Sequence, residues 1–214
     1  MFKDRVQAGQ LLAQKLIGEE KDLPAGQTVV LGIPRGGVVV AFQVAKFLGC
    51  LLDVIVVKKI AAPGQEELAI GAVGETESAE YLDEKLIAEL QIDKEYLSEE
   101  IKRKKEEIKR RERLFRREKS ALALKGKTVI IVDDGAATGA TVIAACREVW
   151  QTEPKKVIVA LPVLAKDTLK KLEPEADEVI FLKTPLMFFA VGQFYQDFPQ
   201  VSDEEVIKIL NSNY

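Results

Sequence analysis

Apolar and polar positions alternate between two textures along this chain. Short β-rich runs, TVVLGI (28–33), LLDVIVVKK (51–59), KTVIIVDD (127–134), KKVIVALPV (155–163) and DEVIFL (177–182), read as strands. Stretches of helical spacing lie between them, such as 38–48, closed by Gly49, and the segment carrying Val142, Ala145, Cys146 and Val149. Strand and helix in strict alternation predict an α/β fold, a doubly wound, mainly parallel sheet with crossover helices. A last helix is expected from Ser202, which has capping-box spacing to Glu205 ahead of Val206, Ile207 and Leu210.

One segment, about 83–119, departs from this scheme and reads as helical throughout. Leu97, Ile101, Ile108 and Phe115 form a narrow apolar stripe, and Lys104 and Arg111 interrupt the complementary positions, so a long autonomous coiled coil is not expected. Residues 102–119 carry 11 basic and 4 acidic side chains, a net +7, which leaves −10 elsewhere in a chain of net −3. The segment reads either as a solvated helix packed along one edge or in a dimer contact, or as a source of arginines, Arg110, Arg111 or Arg113, that hold or attract polyphosphate. Nucleic acid is a weaker expectation, because aromatic residues are sparse within the basic run.

Composition narrows the field further. With 214 residues, 47% hydrophobic and 30% charged, the chain suits one α/β domain with a helical insertion at about 83–120. Cys50 and Cys146 both sit in apolar surroundings, which argues against a disulfide framework or thiolate metal cluster. Histidine is absent, so triad hydrolysis, His-ligated zinc and imidazole acid/base chemistry are excluded. No stretch has the length and apolarity of a signal peptide or a bilayer span, and a cytoplasmic location is expected.

The chemistry concentrates in VIIVDDGAATGAT, 129–141. Asp133 and Asp134 leave the carboxyl end of a strand, where open α/β sheets bind ligands. Gly135, Ala136, Ala137, Thr138, Gly139, Ala140 and Thr141 then turn into a helix, directing backbone N–H groups and two hydroxyls into one concavity. That concavity suits phosphate, while the acids suit a different part of the same ligand. A ribose 5-phosphate satisfies both, its vicinal hydroxyls donating to ionised carboxylates. The loop lacks dinucleotide G-x-G-x-x-G spacing and the P-loop Gly-Lys-Ser/Thr; the bland alternative is a strand end that caps a helix.

Four apolar residues, two acids and a small-residue loop with Thr-Gly resemble the phosphoribosyl-pyrophosphate (PRPP) motif of type I phosphoribosyltransferases. FKDRVQAGQLLAQKL, GIPRGGV, DVIVVKKI, APGQEELAIGAVGE, RRERLFR and FFAVGQFYQDFPQVSDEEV extend the likeness, over nearly the whole chain, to a bacterial branch of that family with unassigned acceptors. The resemblance implies the type I phosphoribosyltransferase fold with a small hood, and transfer of ribose 5-phosphate from PRPP to a nucleophile, usually nitrogen, with loss of pyrophosphate. It implies Mg²⁺ held mainly by PRPP oxygens and water, without a dedicated protein metal site, and a homodimer.

GIPRGGV, 32–38, is by the same resemblance the pyrophosphate loop, with Arg35, Gly36 and Gly37 at the anion, often built around a nonproline cis peptide. Lys58 and Lys59, at the end of the second strand, are candidates to meet the departing pyrophosphate, and strand alternation sends them to opposite faces. Residues 60–75, with three glycines and a proline, resemble the family's mobile loop or read as an ordinary surface hairpin; Glu66 and Glu67 receive no role. The tail 184–214 is the expected hood, its residues Phe188, Phe189, Phe194, Tyr195 and Phe198 serving an acceptor ring, core packing or a subunit contact. Ala137 and Ala140 replace the acid and lysine of the hypoxanthine-guanine type, so a 6-oxopurine acceptor is less favoured and the loop is closer to orotate or uracil enzymes. Two other classes stay open, a noncatalytic PRPP or nucleotide-binding regulator and an interaction protein.

Overall fold

The computed structural model describes residues 1–20, 23–117 and 119–212; the side chains of Glu66 and Glu67 lie outside that description. A central sheet of five parallel strands runs in the order β2 (Leu51–Val54), β1 (Thr28–Gly32), β6 (Thr128–Val132), β7 (Lys156–Val163) and β8 (Glu178–Lys183). Strand alternation sorts its side chains between two layers. Val29, Leu31, Val129, Ile131 and Val159 face α5 (Ala140–Trp150), whose Val142, Ile143 and Cys146 are buried against them. Val30, Ile130, Val132 and Ile158 face the other way, onto Leu12 and Leu16 of α1 (Arg5–Glu19) and Val40 and Val44 of α2 (Gly36–Leu48). Both faces are covered, which explains apolar runs rather than alternation in the strands. Helix α2 begins at Gly36, two residues ahead of the sequence expectation, and ends as expected at Gly49, in the left-handed region with φ 65°.

One expected strand divides in two. The run 51–59 supplies β2 to the central sheet and then β3 (Lys58–Ala62) to a separate antiparallel sheet, in the order β3, β4 (Gln65–Val73), β5 (Glu80–Leu82). The neighbouring β1 ends at Gly32, whose carbonyl accepts the last aligned contact, from Ile55 N at 3.1 Å; beyond it the chain has no partner in the parallel sheet. Lys58 and Lys59 therefore open a hairpin instead of closing a central strand. The segment 60–75 is largely that hairpin, turning at Gly64 with φ 72°.

The helical segment also divides, into α3 (Glu84–Glu89) and α4 (Lys94–Arg116), each N-capped by an aspartate, Asp83 and Asp93. Leu97, Ile108 and Phe115 of α4 are buried and Ile101 is half-buried, in a cluster with Ile60 and Ile70 of the small sheet and Val206 and Ile207 of α7 (Asp203–Leu210). Ser202 caps α7 as expected, its Oγ accepting from Glu205 N at 3.1 Å. The segment thus packs along one edge and bridges small sheet and tail. Ile108→Ala should cost about 2–5 kcal/mol through the cavity left in that cluster, read as a lowered midpoint in urea unfolding. Helix α6 (Lys166–Leu172) completes the fold, and among the described residues no helix is long and apolar enough to cross a membrane.

Candidate active site

Parallel strands β1 and β6 end side by side, with Ile33 N donating to Val132 O at 2.9 Å, so the loops that follow them face a common cavity. That cavity measures about 1190 Å³, and both loops, both aspartates, both lysines and one face of α4 line it.

The loop after β6 is held from beneath. Ala136 N donates to Val163 O at 2.9 Å, and the Thr168 hydroxyl donates to Ala137 O. Gly139 N-caps α5 at φ 79°, and a Cβ there would lie 2.7 Å from Thr168 Cγ2, so glycine is required by both conformation and space. Ala137 and Thr138 are exposed at the crest, Thr141 is half-buried, and Ala136 and Ala140 are buried. The first N–H groups of α5 have no intrahelical acceptor, as at any helix N-terminus, and Ala140 N meets the Thr138 hydroxyl at 3.5 Å. The loop after β1 carries the nonproline cis peptide, between Pro34 and Arg35. A Cβ on Gly37 would fall 2.7 Å from Asp133 Oδ1, and one on Gly36 would collide with Asp134 Oδ2. The glycines let two loops and two acids share this space.

Asp133 and Asp134 are half-buried on the cavity floor and differ in their partners. Asp133 Oδ1 accepts from Asp134 N at 2.8 Å. Burial, reinforced by the neighbouring Asp134, pushes its carboxyl well above the ordinary range. Asp134 is also raised by burial, with Arg5 and then Lys59 opposing the shift. Arg5 Nε donates to Asp134 Oδ2 at 2.7 Å, Arg5 Nη1 donates to Pro199 O at 2.7 Å, and the guanidinium lies 3.7 Å from the Phe198 ring centroid. Tyr195 OH donates to Asp134 O at 2.6 Å, and burial drives that phenol's pKa upward. The first helix and the tail therefore fix Asp134 in place, and Asp133 is the carboxylate with more freedom to take a ligand.

Lys58 and Lys59 separate as alternation requires. Lys58 Nζ donates to Glu107 Oε1 at 2.5 Å, and burial lowers the lysine's pKa against the opposing pull of that carboxylate. Lys59 is exposed on the side of the acids, where its charge acts on both. Of the three arginines singled out on α4, Arg111 lines the cavity. The tail aromatics divide as well: Phe188 packs on Phe194 at 4.9 Å, and Tyr195 stacks between Phe2 at 5.3 Å and Phe198 at 4.9 Å. Phe189 is 83% exposed and stands at the cavity with Ala190 and Val191.

Sequence reasoning missed Arg5, Tyr195 as a hydrogen-bond donor, and Glu107. Arg5 had a detectable signal. It shares a helix face with Ala8 and Leu12, all buried, and a cation on the apolar face of a helix needs a partner.

A family model for the phosphoribosyl transferase domain matches residues 3–199. The chain is 43% identical over 211 residues to two Mycobacterium tuberculosis proteins, "Putative phosphoribosyl transferase MT0597" of strain CDC 1551 / Oshkosh and "Putative phosphoribosyl transferase Rv0571c" of strain H37Rv. The match takes in 99% of this chain and 46% of each relative, so the chain spans about half the length of those curated relatives. Among solved structures, TT1426 from Thermus thermophilus shares 44% identity with a TM-score of 0.79, covering 98% of this chain and 97% of that one. AQ2163 from Aquifex aeolicus, at 16% identity and TM-score 0.54 over 98% of this chain and 87% of its own, shares the fold. With the acid pair and small-residue loop in place after β6 and a model match over most of its length, the chain belongs to the phosphoribosyl transferase family.

Proposed function

We propose that this chain transfers the 5-phosphoribosyl group of Mg-PRPP to a small nitrogenous acceptor and releases pyrophosphate. The observation that carries the reading is the placement of one carboxylate pair between two glycine-containing loops, each following a parallel strand, in a single cavity. In this reading the 135–141 loop takes the 5-phosphate, Asp133 accepts from the ribose hydroxyls, and the Arg35–Gly37 loop takes the diphosphate. Asp134, fixed by Arg5, contributes its remaining oxygen and its field.

As pyrophosphate departs, positive charge develops at the ribosyl centre, and the acid pair stabilises it electrostatically. Lys59 sets the balance on the acid side and Lys58 meets the leaving anion. Among the described residues, no group of three or more acidic, Cys or His side chains could cage a metal by itself. The donor set nevertheless fits Mg²⁺ brought in by PRPP, with Asp133 as the available protein carboxylate and the remaining positions filled by substrate oxygens and water. An ion held there would supply neutralisation of charge on the diphosphate. Phe189 offers a ring face for a planar acceptor. The crest residue Ala137 supplies no acid to pair with a purine ring nitrogen.

Incubation with Mg-PRPP and a panel of pyrimidines, purines and other nitrogen nucleophiles, scored by pyrophosphate release, tests the proposal. Acceptor-dependent release with at least one compound is expected, with 6-oxopurines poorer than pyrimidines. Tight PRPP binding without release for any acceptor would identify a regulator instead.

A further inference from the structure

The inserted helix α4 brings cations to the cavity that neither loop supplies. Lys58, Lys104 and Arg111 converge on Glu107: Lys58 Nζ and Arg111 Nε lie 2.5 and 3.5 Å from Oε1, and Lys104 Nζ lies 3.8 Å from Oε2. Asp203, the first residue of α7, joins Arg111 Nη1 at 3.3 Å to Arg35 Nη1 at 3.8 Å. Glu100 also approaches Lys104, at 3.6 Å, but Arg103 already occupies it through Nε and Nη2 at 2.9 and 2.5 Å. Four cations thus share chiefly two carboxylates beside the Arg35–Gly37 loop.

Two features point to a ligand. Arg111 Nε is buried and has no hydrogen-bond acceptor, although buried donors are satisfied as a rule. In addition, Arg35, Lys58, Lys104 and Arg111 all line the large cavity, and Arg35, Lys58 and Arg111 also line a second opening of about 490 Å³ beside the same loop.

We propose that Lys104 and Arg111 of the inserted helix act with Lys58 to hold the outer phosphate of the diphosphate group, and that Glu107 is the internal anion which this phosphate displaces. The inference rests on the phosphoribosyl-transfer reading and adds a specificity element to it. Without ligand, Glu107 holds three like charges together. A terminal phosphate brings more charge and more acceptor oxygens than one carboxylate, including one for the unmet Arg111 donor, so it wins the exchange. A phosphate that stops short of α4 would gain none of these contacts, so in this proposal the helix favours a diphosphate over a monophosphate.

The test titrates inorganic pyrophosphate, and separately ribose 5-phosphate, into the full chain in Mg²⁺ buffer by calorimetry. Lys104→Ala and Arg111→Ala should each weaken pyrophosphate binding about tenfold. Glu107→Gln should tighten it severalfold. Ribose 5-phosphate affinity should stay at the wild-type value in all three, which also reports an intact fold. Arg111→Lys, retaining charge without the planar fork, should give an intermediate loss and replaces Arg111→Ala if that variant does not fold. Unchanged pyrophosphate affinity in the Lys104 and Arg111 variants, or weaker binding in Glu107→Gln, would overturn the inference while ribose 5-phosphate binding leaves the transfer reading standing. Failure of the wild type to bind either compound would remove both.

Discussion

Asp133→Asn is expected to lower turnover by up to about a thousandfold and, in the same protein, to raise the melting temperature of the ligand-free form near neutral pH. The loss follows from charge: a carboxylate about 4 Å from a developing unit positive charge interacts with it by roughly 4 kcal/mol at an effective dielectric near 20, or about three decades of rate if felt only in the transition state. The gain follows from linkage. Burial and Asp134 raise the folded-state pKa of Asp133, so the native state binds its proton more tightly than the unfolded chain does. Its favourable contribution is complete below the ordinary carboxylate pKa and is lost as pH rises through the elevated folded value. Above the ordinary carboxylate pKa, holding this acid in its buried place carries a cost that asparagine removes, and each kcal/mol recovered is worth about 2–4 °C at this chain length. Asp134→Asn should gain less, because relief of its own raised carboxyl is offset by the loss of the carboxylate that pairs with Arg5, whose side chain is 9% exposed; breaking such a buried pair costs about 3–5 kcal/mol. Pyrophosphate release and thermal melts at several pH values check both. Near-normal turnover of Asp133→Asn, or a gain in melting temperature for Asp134→Asn as large as that for Asp133→Asn, would contradict the assignment.

Gly37→Ala should have the second largest effect, damaging site and fold together. The added methyl would lie 2.7 Å from Asp133 Oδ1, 2.8 Å from Asp133 Cα and 2.9 Å from Val132 O. Two of those atoms belong to the backbone at the end of β6, so the loops themselves must part. Overpacking of this kind costs about 1–3 kcal/mol, and separating the cradles should weaken PRPP binding at least tenfold, by about 1.4 kcal/mol or more. Gly18→Ala is the natural control, since a methyl there meets nothing within 4 Å. Melting temperature and PRPP affinity of the two variants, measured side by side, decide the matter; equal values would show that the loops do not need their close approach.

The sequence made the central sheet readable because its side-chain periods are local, and the acid pair readable because glycines and carboxylates at a strand end form a compact signal. Similar local chemistry located Lys58 and Lys59 on opposite faces. It failed at the run 51–59, where residues buried in two different sheets are equally apolar and only the end of the neighbouring strand marks the division. Arg5, Tyr195 and Glu107 were missed for another reason. Their partners lie 129, 61 and 49 positions away in sequence, and no window along the chain contains both members of a pair.

The brace around Asp134 also has a meaning for biosynthesis. Its members come from widely separated stretches of the polypeptide, Arg5 reaching Pro199 across 194 positions. A nascent chain leaving the ribosome therefore carries the aspartates well before it carries everything that orients them. The arrangement around Asp134 has to wait until the stretch from Tyr195 to Pro199 has been translated and has folded back onto the first helix.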